Sequence, residues 1–197
     1  MKIKFKSISR LAAAAGLLLL AGAFSALGGT EPTAFQLAKE GNRFVGEPSQ
    51  DKVLEIYSDK SIAGLTPSIW TVAYYDPDAS FNVVEVKFGS GLKMGVSRPW
   101  KLFGRSGKVA DVIDLKNFKV DSDEAVKIAT SQQLLAPFNL KCTQLQLRQC
   151  DDGLVWRVRI WSAKLGKPDV VMEIGDLFIS PVDGKVVRAD LHIERLN

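Results

Sequence analysis

Residues suited to acid–base or metal chemistry are few in this chain. His192 is the single histidine among 197 residues. A Ser-His-Asp triad around it is formally allowed, but the chain has no G-x-S-x-G nucleophile elbow to expose a reactive serine. One histidine and two cysteines, Cys142 and Cys150, do not match any zinc-binding spacing. The sequence therefore predicts a protein that is not an enzyme, with no catalytic residues, no metal and no cofactor.

Three acidic pairs place carboxylates close together along the chain. They occur in the segments Asp76-Pro77-Asp78, Asp121-Ser122-Asp123 and Asp151-Asp152-Gly153. Calcium binds such oxygens, but the twelve-residue EF-hand pattern is missing. Aspartate also caps helices and forms turns, and we interpret the three pairs in that way.

Arginine and aromatic side chains are the best candidates for contact with a partner. Arg148, Arg157 and Arg159 are expected on one face of two neighbouring strands, where guanidinium groups can hold a carboxylate or an acidic peptide through paired hydrogen bonds. The alternative is the solvated face of a one-sided antiparallel sheet. Trp161 and Tyr75 are expected opposite the core residues of their strands, where they could join two units or contact a partner. These five residues are the predicted binding site for an unknown protein.

The first 29 residues have the features of a signal peptide. Four basic residues and no acidic ones occupy positions 1–10, an uncharged apolar stretch covers 11–24, and small residues follow. This order is typical of a secretory signal, with cleavage expected between Ala26 and Thr30. The alternative is an uncleaved anchor, although residues 11–27 are at the short end of the ~17–25 residues of a spanning helix. We expect an exported protein, periplasmic or extracellular.

The charge balance makes nucleic acid an unexpected partner. Four of the 26 basic residues lie in residues 1–30, which leaves 22 basic against 22 acidic residues. Nucleic-acid binding requires clustered positive charge, and the formal net charge of +4 belongs to the leader. Contact with a membrane is expected only through the leader during export.

Cys142 and Cys150 pose a choice between a disulfide and a strand. Export favours a disulfide, but residues 143–149 alternate polar and apolar, as a half-buried strand does. Eight steps of ~3.3 Å separate the two Cα atoms by roughly 26 Å, whereas a disulfide needs less than ~7 Å. We favour the strand, with two free or intermolecular thiols.

The first part of the chain is predicted to form helices followed by strands. Residues 32–40 are predicted to form a helix, and Ser49 is expected to cap a second one whose inward residues include Val53, Leu54 and Tyr57. Strands are expected over 68–75 and 84–88, followed by a hairpin at 89–91. The predicted continuation of the apolar face beyond that hairpin consists of Leu92, Met94 and Val96.

The second part repeats this order. Residues 101–119 are expected to form an ordered connector, and Asp121 to cap a helix in a capping box with Glu124. Strands then follow, closed by a turn at Asp183-Gly184. The segment that starts at Trp70 parallels the segment that starts at Trp156, each with a second apolar strand eight or nine residues further on. The repeat predicts two helix-plus-antiparallel-sheet units.

The second unit resembles the PepSY family, small exported domains of metallopeptidase propeptides and other envelope proteins. Three segments carry the resemblance: Ser122–Ala129 for the helix, Trp156-Arg157-Val158 for a middle strand and Leu177–Val187 for the closing hairpin. The first unit matches loosely, through 52–56 and 70–88. The resemblance implies an α+β fold with an α-β-β-β order in each unit and, in some members, inhibition or chaperoning of a peptidase.

These patterns predict the domain boundaries and a function. A signal peptide (1–29) precedes a first PepSY-like unit (30–100), the connector (101–119) and a second PepSY-like unit (120–197). We expect a non-enzymatic protein-binding module that modulates a peptidase or another envelope protein in trans; no peptidase domain follows, so inhibition in cis is not expected. The alternative is a carrier of a small apolar ligand between helix and sheet.

Overall fold

The computed structural model describes residues 31–99, 107–150 and 153–196. The predicted signal peptide and the start of the connector lie outside the described residues. The described helices and strands, in chain order, are α1 (Ala34–Gly41), β1 (Val53–Ser58), β2 (Ile69–Tyr75), β3 (Val83–Gly89), β4 (Leu92–Ser97), α2 (Ser122–Thr130), β5 (Leu140–Cys150), β6 (Gly153–Lys164), β7 (Lys167–Ile179) and β8 (Val186–Leu191). Short 3₁₀ turns connect several of them.

Across the described residues the strands form one antiparallel sheet of eight strands in the order β4-β3-β2-β1-β5-β6-β7-β8. The predicted α+β class is therefore confirmed. Each helix is followed by four strands rather than the expected three, and the strands of both parts of the chain belong to the same sheet because β1 pairs with β5.

The β1–β5 seam is the shortest strand pairing in the sheet. Its register contains Ile56↔Leu147 and Tyr57↔Gln146, whereas β2 and β3 pair at seven positions. Serine hydroxyls continue the seam beyond the paired register: Ser58 Oγ accepts from the N–H of Leu145 at 2.9 Å, and Ser61 Oγ accepts from the N–H of Thr143 at 2.9 Å. Both serines are buried, and the N–H of Ser61 also donates to the carbonyl of Thr143 at 2.8 Å. Side-chain hydrogen bonds therefore supplement the backbone bonds of the seam.

Alternating side chains of the strands form a core beneath α1 and α2. In β3, and in β6 from Trp156 to Ser162, the buried residues occupy every second position, as the sequence predicts. Full burial of each large apolar side chain is worth about 1.5–3 kcal/mol. The fully buried large side chains are Leu37, Ile56, Tyr74, Phe88, Leu135, Leu145, Leu147, Trp156, Ile160, Ile174, Leu177 and Ile179.

Helix α1 forms where the sequence predicts it. Thr33 and Gln36 make a capping box, and the buried side includes Ala34, Leu37 and Ala38. Gly41, also buried, lies against β2 so closely that a Cβ there would be 2.0 Å from Tyr74 Oη. Tyr74 donates to the carbonyl of Ala38 at 2.6 Å, and the loss of solvent raises its pKa.

The predicted second helix is wrong: Val53–Ser58 is strand β1. The pairing with β2 shifts between Val53 and Glu55, which inserts a bulge at Leu54. Because of this bulge, Val53 and Ile56 both point into the core. Their three-residue spacing imitates the periodicity of a helix. Tyr57, predicted to face inward, lies on the other side of the sheet.

Helix α2 begins at the predicted residue but without the predicted capping box. Asp121 is the N-cap, and its Oδ1 accepts from the N–H of Ser122 at 2.6 Å. The same carboxylate accepts from the N–H of Phe35 in α1 at 3.1 Å. Glu124 pairs with Lys127 instead of reaching back to the cap. One aspartate therefore serves the N-termini of both helices, where negative charge is favourable.

Strand β4 forms as predicted, but its apolar residues do not extend the core. Leu92 and Met94 are 75% and 61% exposed, and Val96 is exposed as well. The strand lies at the edge of the sheet, and its register against β3 shifts beside Met94. No described helix covers this edge. The β3–β4 turn has positive φ at Ser90 and Gly91, the geometry of a tight hairpin.

Both cysteines lie on β5 and are free thiols, as the predicted strand requires. The described part of the connector (107–119) contains two 3₁₀ turns, and Ile113 donates its backbone N–H to Val53 at 2.7 Å. Within the described residues, none of the helices has the length and apolar character needed to cross a membrane.

Candidate functional site

The candidate site lies on the sheet surface turned away from α1 and α2, which we call the open face. Cross-strand partners share a face, and alternate residues along a strand return to it. The principal open-face side chains, from β3 to β7, are Glu85, Lys87, Thr71, Tyr75, Glu55, Tyr57, Gln144, Gln146, Arg148, Arg157, Arg159, Asp176 and Phe178. Most of them are half-buried and polar, which is typical of a sheet with one face in water.

Two of the predicted arginines meet at a single carboxylate. Arg157 donates through Nε and Nη2 to Asp176 Oδ2 at 2.9 and 2.6 Å, and Arg159 Nε donates to Oδ1 at 2.9 Å. Glu173 lies 3.5 Å from Arg159. The side chains of Arg157, Arg159 and Asp176 are 25%, 29% and 14% exposed. Asp176 thus orients both guanidinium groups and neutralises part of their charge.

A depression of about 210 Å³ lies over the β1–β5 seam, and we call it the seam pocket. It lies where the paired register of β1 and β5 ends. Its lining residues are Tyr57, Gln144, Leu145, Gln146, Arg157 and Arg159. The sequence identified the two arginines. The tyrosine and the two glutamines were missed because the pairing of β1 with β5 joins residues almost ninety positions apart.

Tyr57 forms the β1 side of the seam pocket. Its hydroxyl donates to Glu85 Oε1 at 3.3 Å. Burial raises the pKa of Tyr57 to about 12, and the nearby Glu85 carboxylate adds to this effect. The phenol is therefore neutral and hydrogen-bonded across the physiological pH range.

The two glutamines are held by hydrogen bonds from their amide nitrogens. Gln144 Nε2 donates to the carbonyl of Ser58 at 3.1 Å, and Gln146 Nε2 donates to Glu55 Oε1. These bonds orient both amide carbonyls. In the register of β5 and β6, Gln144 lies beside Arg159 and Gln146 beside Arg157.

The other predicted binding residues are not gathered at the seam pocket. Arg148 is on the same face, one same-face position along β5 from Gln146. Tyr75 ends β2, and Trp161 lies beyond a register shift in β6. Lysines lie over both rings: Lys60 Nζ is 4.5 Å from the Trp161 centroid and Lys52 Nζ is 5.8 Å from that of Tyr75. The structure brings together Arg157 and Arg159 but leaves the two aromatics at separate positions.

The single histidine, His192, lies just outside the sheet. It follows β8, is half-exposed, and its Nδ1 is 3.4 Å from Glu194. In residues 31–99, 107–150 and 153–196, no cluster of three or more His, Cys, Asp or Glu side chains is arranged to hold a metal ion.

Aromatic side chains occupy the space between α1 and the sheet. Phe35 stacks on Trp156 with a centroid distance of 5.9 Å and also contacts Phe118 at 6.3 Å. Phe44 packs edge-on against Phe88. The seam pocket is on the opposite side of the sheet from these rings.

Comparison with known proteins gives no relatives. No family model matches the chain, and neither a curated protein nor a solved structure is significantly similar to it.

Proposed function

We propose that this protein is an exported, non-enzymatic binding module that modulates an envelope protein, such as a peptidase, in trans. The observation that carries the proposal is the one-sided sheet: the described helices cover one face, while the other presents a half-buried, hydrogen-bonded set of polar side chains around the seam pocket. Conformationally fixed polar groups with aromatic residues nearby are suited to protein recognition.

We also propose that the fold is a tandem of two PepSY-like units. Three features support it. The order of one helix and four antiparallel strands occurs twice. Trp70 and Trp156 occupy the second strand of each set, and both donate their indole N–H to a backbone carbonyl, at 3.0 and 2.9 Å. The two helices begin side by side, joined through Asp121.

Photo-cross-linking tests the proposed surface. Benzoylphenylalanine replaces Trp161 or Tyr75 on the open face in separate variants, and Lys127, an exposed residue of α2, in a matched control. After irradiation in envelope extract, we expect one adduct of defined mass from the open-face variants and no such adduct from the control. Equal adducts from all three variants, or none from any, would contradict the proposed surface. Purified partner and protein then show whether a peptidase activity changes.

A further inference from the structure

The two arginines of the seam pocket already have acidic partners within the chain, Asp176 for both and Glu173 at 3.5 Å from Arg159. Asp176 accepts four hydrogen bonds from Arg157 and Arg159, at 2.6 to 3.3 Å. The Nε–Nη2 edge of each guanidinium group is therefore occupied by Asp176. A partner carboxylate could use that edge only by displacing Asp176, and an unpaired, largely buried charge is strongly unfavourable. An acidic peptide held by paired hydrogen bonds on that edge would therefore compete with Asp176.

The polar atoms of the pocket that remain available to a ligand are donors on β6 and acceptors on β5. In the described part of the chain, Nη1 of Arg157 and Nη1 of Arg159 have no hydrogen-bond partner, and neither do the Oε1 atoms of Gln144 and Gln146. Each glutamine is the register neighbour of one arginine. The pocket thus contains two donor–acceptor pairs, Gln144 with Arg159 and Gln146 with Arg157.

The spacing of these pairs matches an extended peptide backbone. Alternate residues on one strand are separated by about 6.6 Å, twice the rise of ~3.3 Å per residue. In an extended chain, residues i and i+2 direct their N–H and C=O groups to the same side at that same spacing. A main-chain amide is also uncharged and both donates and accepts.

We propose that the seam pocket binds the main-chain amides of an extended, uncharged segment of the partner. Gln144 and Gln146 accept its N–H groups, and Arg157 and Arg159 donate to its carbonyls. This inference rests on the proposed binding function and specifies which chemistry of the partner is recognised. An acidic side chain, a chain terminus or a sugar is not the preferred ligand.

Neutral and charged peptides of equal length test the proposal on the full chain. The probes are N-acetyl-trialanine methylamide, the same peptide ending in a carboxylate, and an analogue in which one amide is replaced by an ester and so lacks an N–H. Binding is followed by NMR through the side-chain NH₂ signals of Gln144 and Gln146 and the Nε–H signals of Arg157 and Arg159.

We expect the methylamide to shift all four signals and the ester to bind about threefold more weakly or worse, since one hydrogen bond is lost. The carboxylate peptide should bind no more tightly, and salt should have little effect on the methylamide because the ligand is uncharged. Gln146→Leu should weaken binding to a similar extent, whereas Gln149→Leu, the same change on an exposed position of β5, should not.

Tighter, salt-sensitive binding of the carboxylate peptide would overturn the proposal, as would unshifted signals or equal affinity for amide and ester. If Gln146→Leu fails to fold, the comparison of the amide and ester peptides on the unaltered chain still tests whether the pocket binds a main-chain N–H. Cross-linking from the open face can succeed while these peptides fail. In that case the proposed function stands, and only the ligand chemistry assigned to the pocket is wrong.

Discussion

The side chain of Asp121 joins the two described helices, α1 and α2. Its carboxylate accepts from the first turn of both helices, whose cap regions are 86 residues apart in sequence. Burial raises the pKa of this carboxyl, and the hydrogen bonds from Thr33, Ser122 and Phe35 only partly oppose the effect. A raised pKa means that the folded protein holds the proton more tightly than the unfolded chain does.

The stability contribution of Asp121 should therefore depend on pH in a defined direction. It is greatest below the ordinary carboxyl pKa of about 3.9 and is lost as pH rises through the higher folded-state value. Asn cannot titrate. We expect the free energy of unfolding of the natural protein, minus that of Asp121→Asn, to fall over this window and to be flat above it. Urea titrations at a series of pH values measure the difference; a constant difference would contradict the prediction.

At the scale of elements, the packing of α1 on β2 requires that residue 41 be glycine, which has no Cβ. Alanine is a better helix former than glycine by about 1 kcal/mol. At Gly41, however, a Cβ would be 2.0 Å from Tyr74 Oη.

We expect Gly41→Ala to destabilise the protein by about 1–3 kcal/mol, since overpacking outweighs helix propensity. Thermal or urea unfolding measures this change. Combining it with Tyr74→Phe should recover part of the loss, because the nearest atom is removed. Gly95→Ala, where a Cβ would have no neighbour within 4 Å, is the control. Strictly additive effects of the two substitutions would argue against a direct clash.

Side-chain hydrogen bonds contribute to the seam between β1 and β5. Ser58→Ala should cost about 1–3 kcal/mol, because the buried N–H of Leu145 loses its acceptor. Hydrogen exchange of the Leu145 amide should accelerate relative to that of Val158 in β6. Ser97→Ala on the exposed edge strand should leave both unchanged. Protection of Leu145 that survives Ser58→Ala would show that the hydroxyl is not required.

The sequence predicted the features that depend on neighbouring residues and missed those that depend on pairing between distant residues. The alternation in β3 and β6, the cap at Asp121 and the strand between the cysteines are local properties, and the sequence predicts them. The bulge at Leu54 shifts the side-chain period, so β1 resembled a helix. Asp176 meets both arginines only because of the register between β6 and β7, which no local pattern encodes.

At the scale of the whole molecule, several contacts join the two parts of the chain. They include the β1–β5 seam, the Asp121 carboxylate and the stacking of Phe35 on Trp156. The described residues from 31 to 196 form one compact unit. Two parts of a chain joined in this way are expected to unfold as one cooperative system.

Hydrogen exchange tests that cooperativity. Amides at the centre of β2 and of β6, such as those of Val72 and Val158, should report the same free energy of global opening. Both residues are completely buried. Values that differ by more than about 1 kcal/mol would show that one part opens without the other.

The double role of Asp121 also affects the order in which the chain becomes structured during synthesis. Ala34 and Phe35 donate their N–H groups to Ser122 Oγ and to Asp121. When the ribosome has released residues 31–99, α1 still lacks these acceptors, and β1 lacks its neighbour β5. The nascent N-terminal part therefore has an unfinished helix and an open sheet edge until residues 120–150 emerge. During that interval the unpaired edge of β1 exposes this segment to aggregation.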